Sequence, residues 1–137
     1  MKKIILLAII LLSGLTVSSQ VQTTVASTTD SGAVFTFAEI MPSFPGGQAA
    51  FMKYLSENTK YPEEEKNARI QGTVYISFVV EKDGSITHVH AMKEVAGAPE
   101  FTTEAMRVIS TMPKWTPGKV QGQIVRVSVT QPIRFVL

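Results

Sequence analysis

The chain has 137 residues, with 13 Lys or Arg against 11 Asp or Glu and no Cys. That length holds one ordinary domain. The missing thiols exclude disulfides, lipid attachment at cysteine and thiolate-based metal sites. Lys2 and Lys3 account for the whole formal charge of +2, so the rest of the chain is neutral and lacks the excess of basic residues that nucleic-acid binding needs.

Met1-Lys2-Lys3 is a basic start, residues 4–12 are unbroken apolar sequence, and Val17-Ser18-Ser19 places small residues before Gln20. This reads as a secretory signal, residues 1–19, cleaved after Ser19. The apolar stretch is about 14 residues, short of the roughly 20 that a membrane-spanning helix needs. An uncleaved anchor is the alternative. Residues 20–33 are Thr, Ser and Val with few charges and no large aromatic, and are expected to form a loosely ordered leader. The domain proper is expected to span residues 34–137.

Within it, residues 34–39 alternate Phe35 and Phe37 with Thr36 and Ala38, a short extended piece. Pro42-Ser43-Phe44-Pro45-Gly46-Gly47 is turn-rich. Phe51, Tyr54 and Leu55 recur at helical spacing, which predicts a helix over residues 48–58. Tyr61-Pro62 ends it, because the residue before Pro avoids the helical region. Residues 63–68 fit one more short helix, with Pro62 near its start and acids in its first turn.

Residues 72–81 read as the central strand. Val74, Ile76, Phe78 and Val80 share one face, Tyr75, Ser77 and Val79 the other, and two largely apolar faces belong inside a sheet. Asp83-Gly84 is a hairpin signal, returning residues 85–94 as a second strand. Pro99 suits a first helical turn. Phe101, Ala105, Val108, Ile109 and Met112 form the apolar stripe of a helix over residues 100–112. The only Trp lies in Pro113-Lys114-Trp115-Thr116-Pro117, a forced stop and turn. A last strand follows over residues 124–137. Val125, Val127, Val129, Ile133, Phe135 and Leu137 fall on one face; Arg126, Ser128, Thr130 and Arg134 fall on the other. Pro132 inside it cannot donate to a ladder, which predicts a free edge or a bulge there.

The expected fold is therefore α+β: a small two-layer domain with a three-stranded antiparallel sheet and two helices on one face. A crossover by the second long helix puts the strands in the order second, first, third.

Several residues are weighed as sites. His88 and His90, at i and i+2 on one strand, have the spacing of half a metal site or of two solvent-facing residues, and no third ligand follows from spacing. Glu63-Glu64-Glu65 reads as a solvated first helical turn. No Ser, Thr or Lys has a neighbour that would activate it as a nucleophile. Trp115 is either an exposed anchor for a partner or an apolar plug over the sheet. Arg69, Arg126 and Arg134 are candidates for steering an anionic segment, or ordinary surface arginines. No enzyme activity, metal, cofactor or small-molecule substrate is expected.

In order and spacing, several pieces resemble the C-terminal domain of TonB, most closely its stand-alone exported versions in Bacteroidetes-type bacteria. They are Pro42-Ser43-Phe44-Pro45-Gly46-Gly47, Tyr61-Pro62, Ile70-Gln71-Gly72 with the strand after it, and Asp83-Gly84. Glu104-Ala105-Met106-Arg107, the run Met112 to Lys119, and Pro132-Ile133-Arg134-Phe135 complete the set. The resemblance covers about residues 34–137. It implies a non-catalytic periplasmic module that grips the N-terminal plug segment of TonB-dependent outer-membrane receptors. That segment is implied to add as a strand beside the last strand, along Val125, Arg126, Val127, Ser128, Val129, Thr130, Gln131 and Arg134, with Arg69 and Gln71 near by. In the family's energy transducers, force from an inner-membrane motor then remodels the plug. This chain departs from those relatives in having no Pro between the apolar run and Pro42. Glu65 stands where Ala is usual, and Thr102 where Asp is common. A self-associating envelope module, a homodimer through the same edge, is the alternative reading.

Overall fold

The computed structural model describes residues 32–137, so the expected signal and nearly all of the leader lie outside the described residues. Val34–Leu137 forms one compact unit. Its elements in chain order are β1 (Val34–Phe35), α1 (Gly47–Asn58), α2 (Glu63–Asn67), β2 (Gly72–Val80), β3 (Ile86–Lys93), α3 (Pro99–Ser110), β4 (Gly118–Val120) and β5 (Gln123–Phe135).

The sheet runs β1-β5-β2-β3, with β4 also pairing β5. The expectation of three antiparallel strands and two helices is thereby corrected. Among the described residues there are five strands, β1 pairs parallel, and the short helix expected over residues 63–68 is present as α2, a third helix beside the two long ones. β1, two residues long, falls within the extended piece expected over residues 34–39, while β4, at three residues, is too short for side-chain alternation to announce it. β2 is central because both its edges are paired, one with β5 and one with β3. Val74, Ile76, Phe78 and Val80 are fully buried, while Ser77 and Val79, on the opposite face, are also buried.

The aromatic core explains the Trp turn. Trp115 is 7% exposed and meets Phe44, Phe51 and Phe78 edge-on or nearly so, with centroids 6.0, 5.3 and 5.4 Å away. It is a plug, not an anchor. Its backbone also carries the β2–β3 hairpin: Trp115 N–H donates to Gly84 O at 2.8 Å. Gly84 has φ +87°, and a Cβ there would stand 2.1 Å from the Trp115 carbonyl oxygen. Only glycine fits both demands. At the other end Phe101 stacks on Phe135 at 4.1 Å, and Tyr61 closes edge-on against both rings.

Glu65 corrects a second expectation. It is 4% exposed, not solvated. Its Oε1 accepts from Glu100 N–H at 3.2 Å, in the first turn of α3, which has no capping side chain of its own. A carboxylate there satisfies an orphan donor and meets the positive end of the helix dipole.

Candidate binding edge

β5 has two edges, and the register assigns each backbone group to one of them. Pairing with β2 runs unbroken from Gly72↔Phe135 to Val80↔Val127. In an antiparallel ladder, hydrogen-bonded and non-bonded pairs alternate. Glu81 N–H donates to Ser85 O, toward β3, so the odd residues of β2 face β3 and the even ones face β5. The bonded partners in β5 are therefore Val127, Val129, Gln131, Ile133 and Phe135. Pro132, opposite Tyr75, falls on a non-bonded pair, where its missing N–H costs the ladder nothing.

β4 follows β2 along this same inner edge. Lys119 N–H and O are both committed to Ile40, at 2.8 and 3.1 Å. Lys119↔Ile124 is then a non-bonded pair, and Gln123 and Val125 are the residues bonded to β4.

The outer edge carries the groups of the even residues. β1 pairs it only at Val34↔Arg126 and Phe35↔Val127, which engages Arg126 and Ser128. From Thr130 to Arg134 no strand lies beside it among the described residues. The outward Pro132 carbonyl accepts from its neighbour Gln131 Nε2 at 3.2 Å. That is a local contact, which an incoming strand can replace.

The ten residues singled out from the sequence separate accordingly. Val125, Val127, Val129 and Gln131 turn their backbone inward, and the Val127 side chain is fully buried. Arg126 is half-buried and already paired within the domain: its Nε and Nη2 bind Glu81 at 2.7 and 3.0 Å. This guanidinium holds the Glu81 carboxyl below the usual range. Ser128 Oγ meets Ser77 Oγ at 3.4 Å. Gln71 Oε1 accepts from Leu137 N–H at 2.9 Å and pins the C-terminus beside β2. Arg69 is exposed in a left-handed turn after α2, φ 58°. Thr130 and Arg134 are exposed on the open stretch.

Sequence reasoning missed what stands beside that stretch. A cleft of about 330 Å³ separates α1, at Met52, Leu55, Ser56 and Thr59, from the end of the chain at residues 132–136. The helical periodicity of Phe51 and Leu55 marked the buried face of α1; nothing in the pattern marked its flank.

The chain matches the model of the family described as Gram-negative bacterial TonB protein C-terminal over residues 57–137, more than half its length. It belongs to that family. Solved structures similar to this chain include the Pseudomonas aeruginosa TonB C-terminal domain, 23% identical with a TM-score of 0.47, covering 58% of this chain and 78% of that one. Two Helicobacter pylori TonB C-terminal domain structures are 24% and 22% identical. Their TM-scores are 0.47 and 0.48, covering 68% and 64% of this chain and 86% and 89% of theirs. No curated protein matches the chain.

Other clefts and clusters in this TonB-family domain are less organised. One of about 530 Å³ between α2 and α3 is lined by Lys60, Glu63, Glu64, Glu100 and Glu104. Glu104 is already bound by Arg107 at 2.7 Å and by the Lys60 N–H, and Arg107 holds its carboxyl below the usual range. His88 and His90 are exposed, His88 at φ 54°, and His90 Nδ1 lies 2.9 Å from the His88 carbonyl oxygen. No group of three or more His, Cys, Asp or Glu is placed to hold a metal among the described residues. No described helix is long and apolar enough to cross a membrane.

Proposed function

We propose that the domain is a non-catalytic periplasmic module that takes the N-terminal plug segment of a TonB-dependent outer-membrane receptor as an added strand on the outer edge of β5. The observation that carries this reading is the open stretch from Thr130 to Arg134 in a sheet that is otherwise paired or covered on β5. Extended peptides satisfy such edges by main-chain bonds, and alternate side chains supply selectivity. Family membership supports a protein-interaction role. The proposal includes export, with residues 1–19 removed and residues 20–33 as leader.

Each main-chain hydrogen bond contributes only about 0.5–1.5 kcal/mol net, and Pro132 withholds one donor. An isolated peptide should therefore bind in the micromolar to millimolar range. The test is a backbone NMR titration with receptor plug-segment peptides. Shifts centred on residues 128–135 support the reading. Shifts confined to α2 and α3, or none with several receptor peptides, refute it. Concentration-dependent shifts of the same residues without peptide would instead mark a homodimer through this edge.

A further inference from the structure

The family match begins at residue 57, so β1 and nearly all of α1 lie before it. These two elements reshape the edge. β1 shortens it to the stretch beyond Ser128, and α1 supplies one wall of the cleft beside it. We propose that this cleft is a side-chain subsite and that the partner strand reads apolar–acidic–apolar where it crosses Ile133, Arg134 and Phe135. The inference rests on strand addition at β5.

Residues directly opposite in adjacent strands share a face of the sheet. Ile133 and Phe135 lie on the helix side, each 2% exposed. The partner residues opposite them must therefore also point to the helix side. There they meet the cleft, whose wall is Met52 and Leu55 of α1. Its volume of about 330 Å³ sits at the small end of ligand pockets, enough for a bulky side chain. Met52 is 49% exposed in the free domain, so covering it removes apolar surface from water.

The residue between the two apolar ones falls opposite Arg134, on the face without helices. Arg134 is exposed there, and no ion pair holds it among the described residues. A partner carboxylate at that position would give it a charge-assisted bond. Arg126, eight residues earlier on the same face, is already taken by Glu81. The charge preference is thus expected at one position only.

The test compares three short fluorescent peptides by anisotropy. One carries Ile-Asp-Ile, the second replaces both Ile with Ser, and the third replaces Asp with Lys. The first should bind about tenfold or more tighter than the second, as burial of one or two apolar side chains requires. Ser56→Trp, which fills the cleft from an exposed position, should abolish that advantage and leave the Ser peptide unchanged. If that variant does not fold, Met52→Glu tests the same wall. Arg134→Glu should reverse the order of the Asp and Lys peptides. Equal binding of the Ile and Ser peptides, with shifts in β5, overturns the subsite and leaves strand addition standing. Failure of every peptide to perturb β5 overturns both.

Discussion

The two edges of β5 are made by one strand and one alternating sequence, yet they differ in almost every structural respect. The inner edge is paired along its length, first by β4 and then by β2. The outer edge holds two residues of β1 and is otherwise open. What separates them is which amides they use. Odd residues turn their N–H groups and their side chains toward, respectively, β2 and the aromatic core; even residues turn theirs outward. A single strand can thus be a structural member through half its residues and a docking surface through the rest. On the proposed function this edge takes the partner because no described strand occupies it from Thr130 to Arg134, and Pro132 limits how readily another chain can zip along it.

That division is most forcefully broken from the inner side. Trp115→Ala removes the ring on which Phe44, Phe51 and Phe78 close, and should cost about 3–5 kcal/mol in chemical denaturation. An unchanged midpoint would mean that the Trp turn does not hold the inner edge. Gly84→Ala forces a Cβ against the Trp115 carbonyl at a positive φ. Its cost should exceed the roughly 1–3 kcal/mol that such a backbone conformation alone imposes.

A pair of prolines sharpens the comparison directly. Val129→Pro removes an inward donor opposite Phe78 and should cost about 1–3 kcal/mol for the unpaired buried group. Thr130→Pro, one residue on, removes an outward donor and should change stability by no more than about 0.5 kcal/mol while weakening peptide binding. Equal destabilisation by both would erase the distinction between the edges.

The smallest effect concerns the Arg126–Glu81 pair across β2 and β5. The Glu81 pKa is lowered in the fold, chiefly by the Arg126 hydrogen bond. Its stabilisation is therefore present above the ordinary carboxylate range and lost as pH falls through the lower folded value. Glu81→Gln should flatten the acid limb of the stability profile and leave the affinity for peptide at neutral pH unchanged. An identical acid limb in the variant would assign that loss to other carboxylates.

Much of this was legible in the residues. The periodicities of residues 72–80 and 124–135, the Asp83-Gly84 hairpin and the stripe from Phe101 to Ile109 each mark an element found in the structure. Proline and glycine marked their ends, because those residues act locally. The site was legible only in outline. Pro132 announced a free edge, but β1 shares that edge through long-range pairing that two residues cannot encode. The expected site took in residues 125–131 and Arg134, with Arg69 and Gln71 near by; the backbone parity that leaves only Thr130 and Arg134 of these on the open stretch depends on the register with β2. Arg126 looked like a surface cation because Glu81 lies 45 residues away in the chain. Glu65 looked solvated because its partner, the start of α3, is 35 residues distant.

Residue-resolved amide hydrogen exchange on the free domain tests the account most directly. Val129, Gln131 and Ile133 should be strongly protected, and Thr130 and Arg134, with amides on an open edge, should exchange fast. Arg126 and Ser128, beside β1, should fall between. Uniform protection from Ser128 to Arg134 in dilute monomer would show that the outer edge is already filled, and would contradict the assignment of this edge as the binding site.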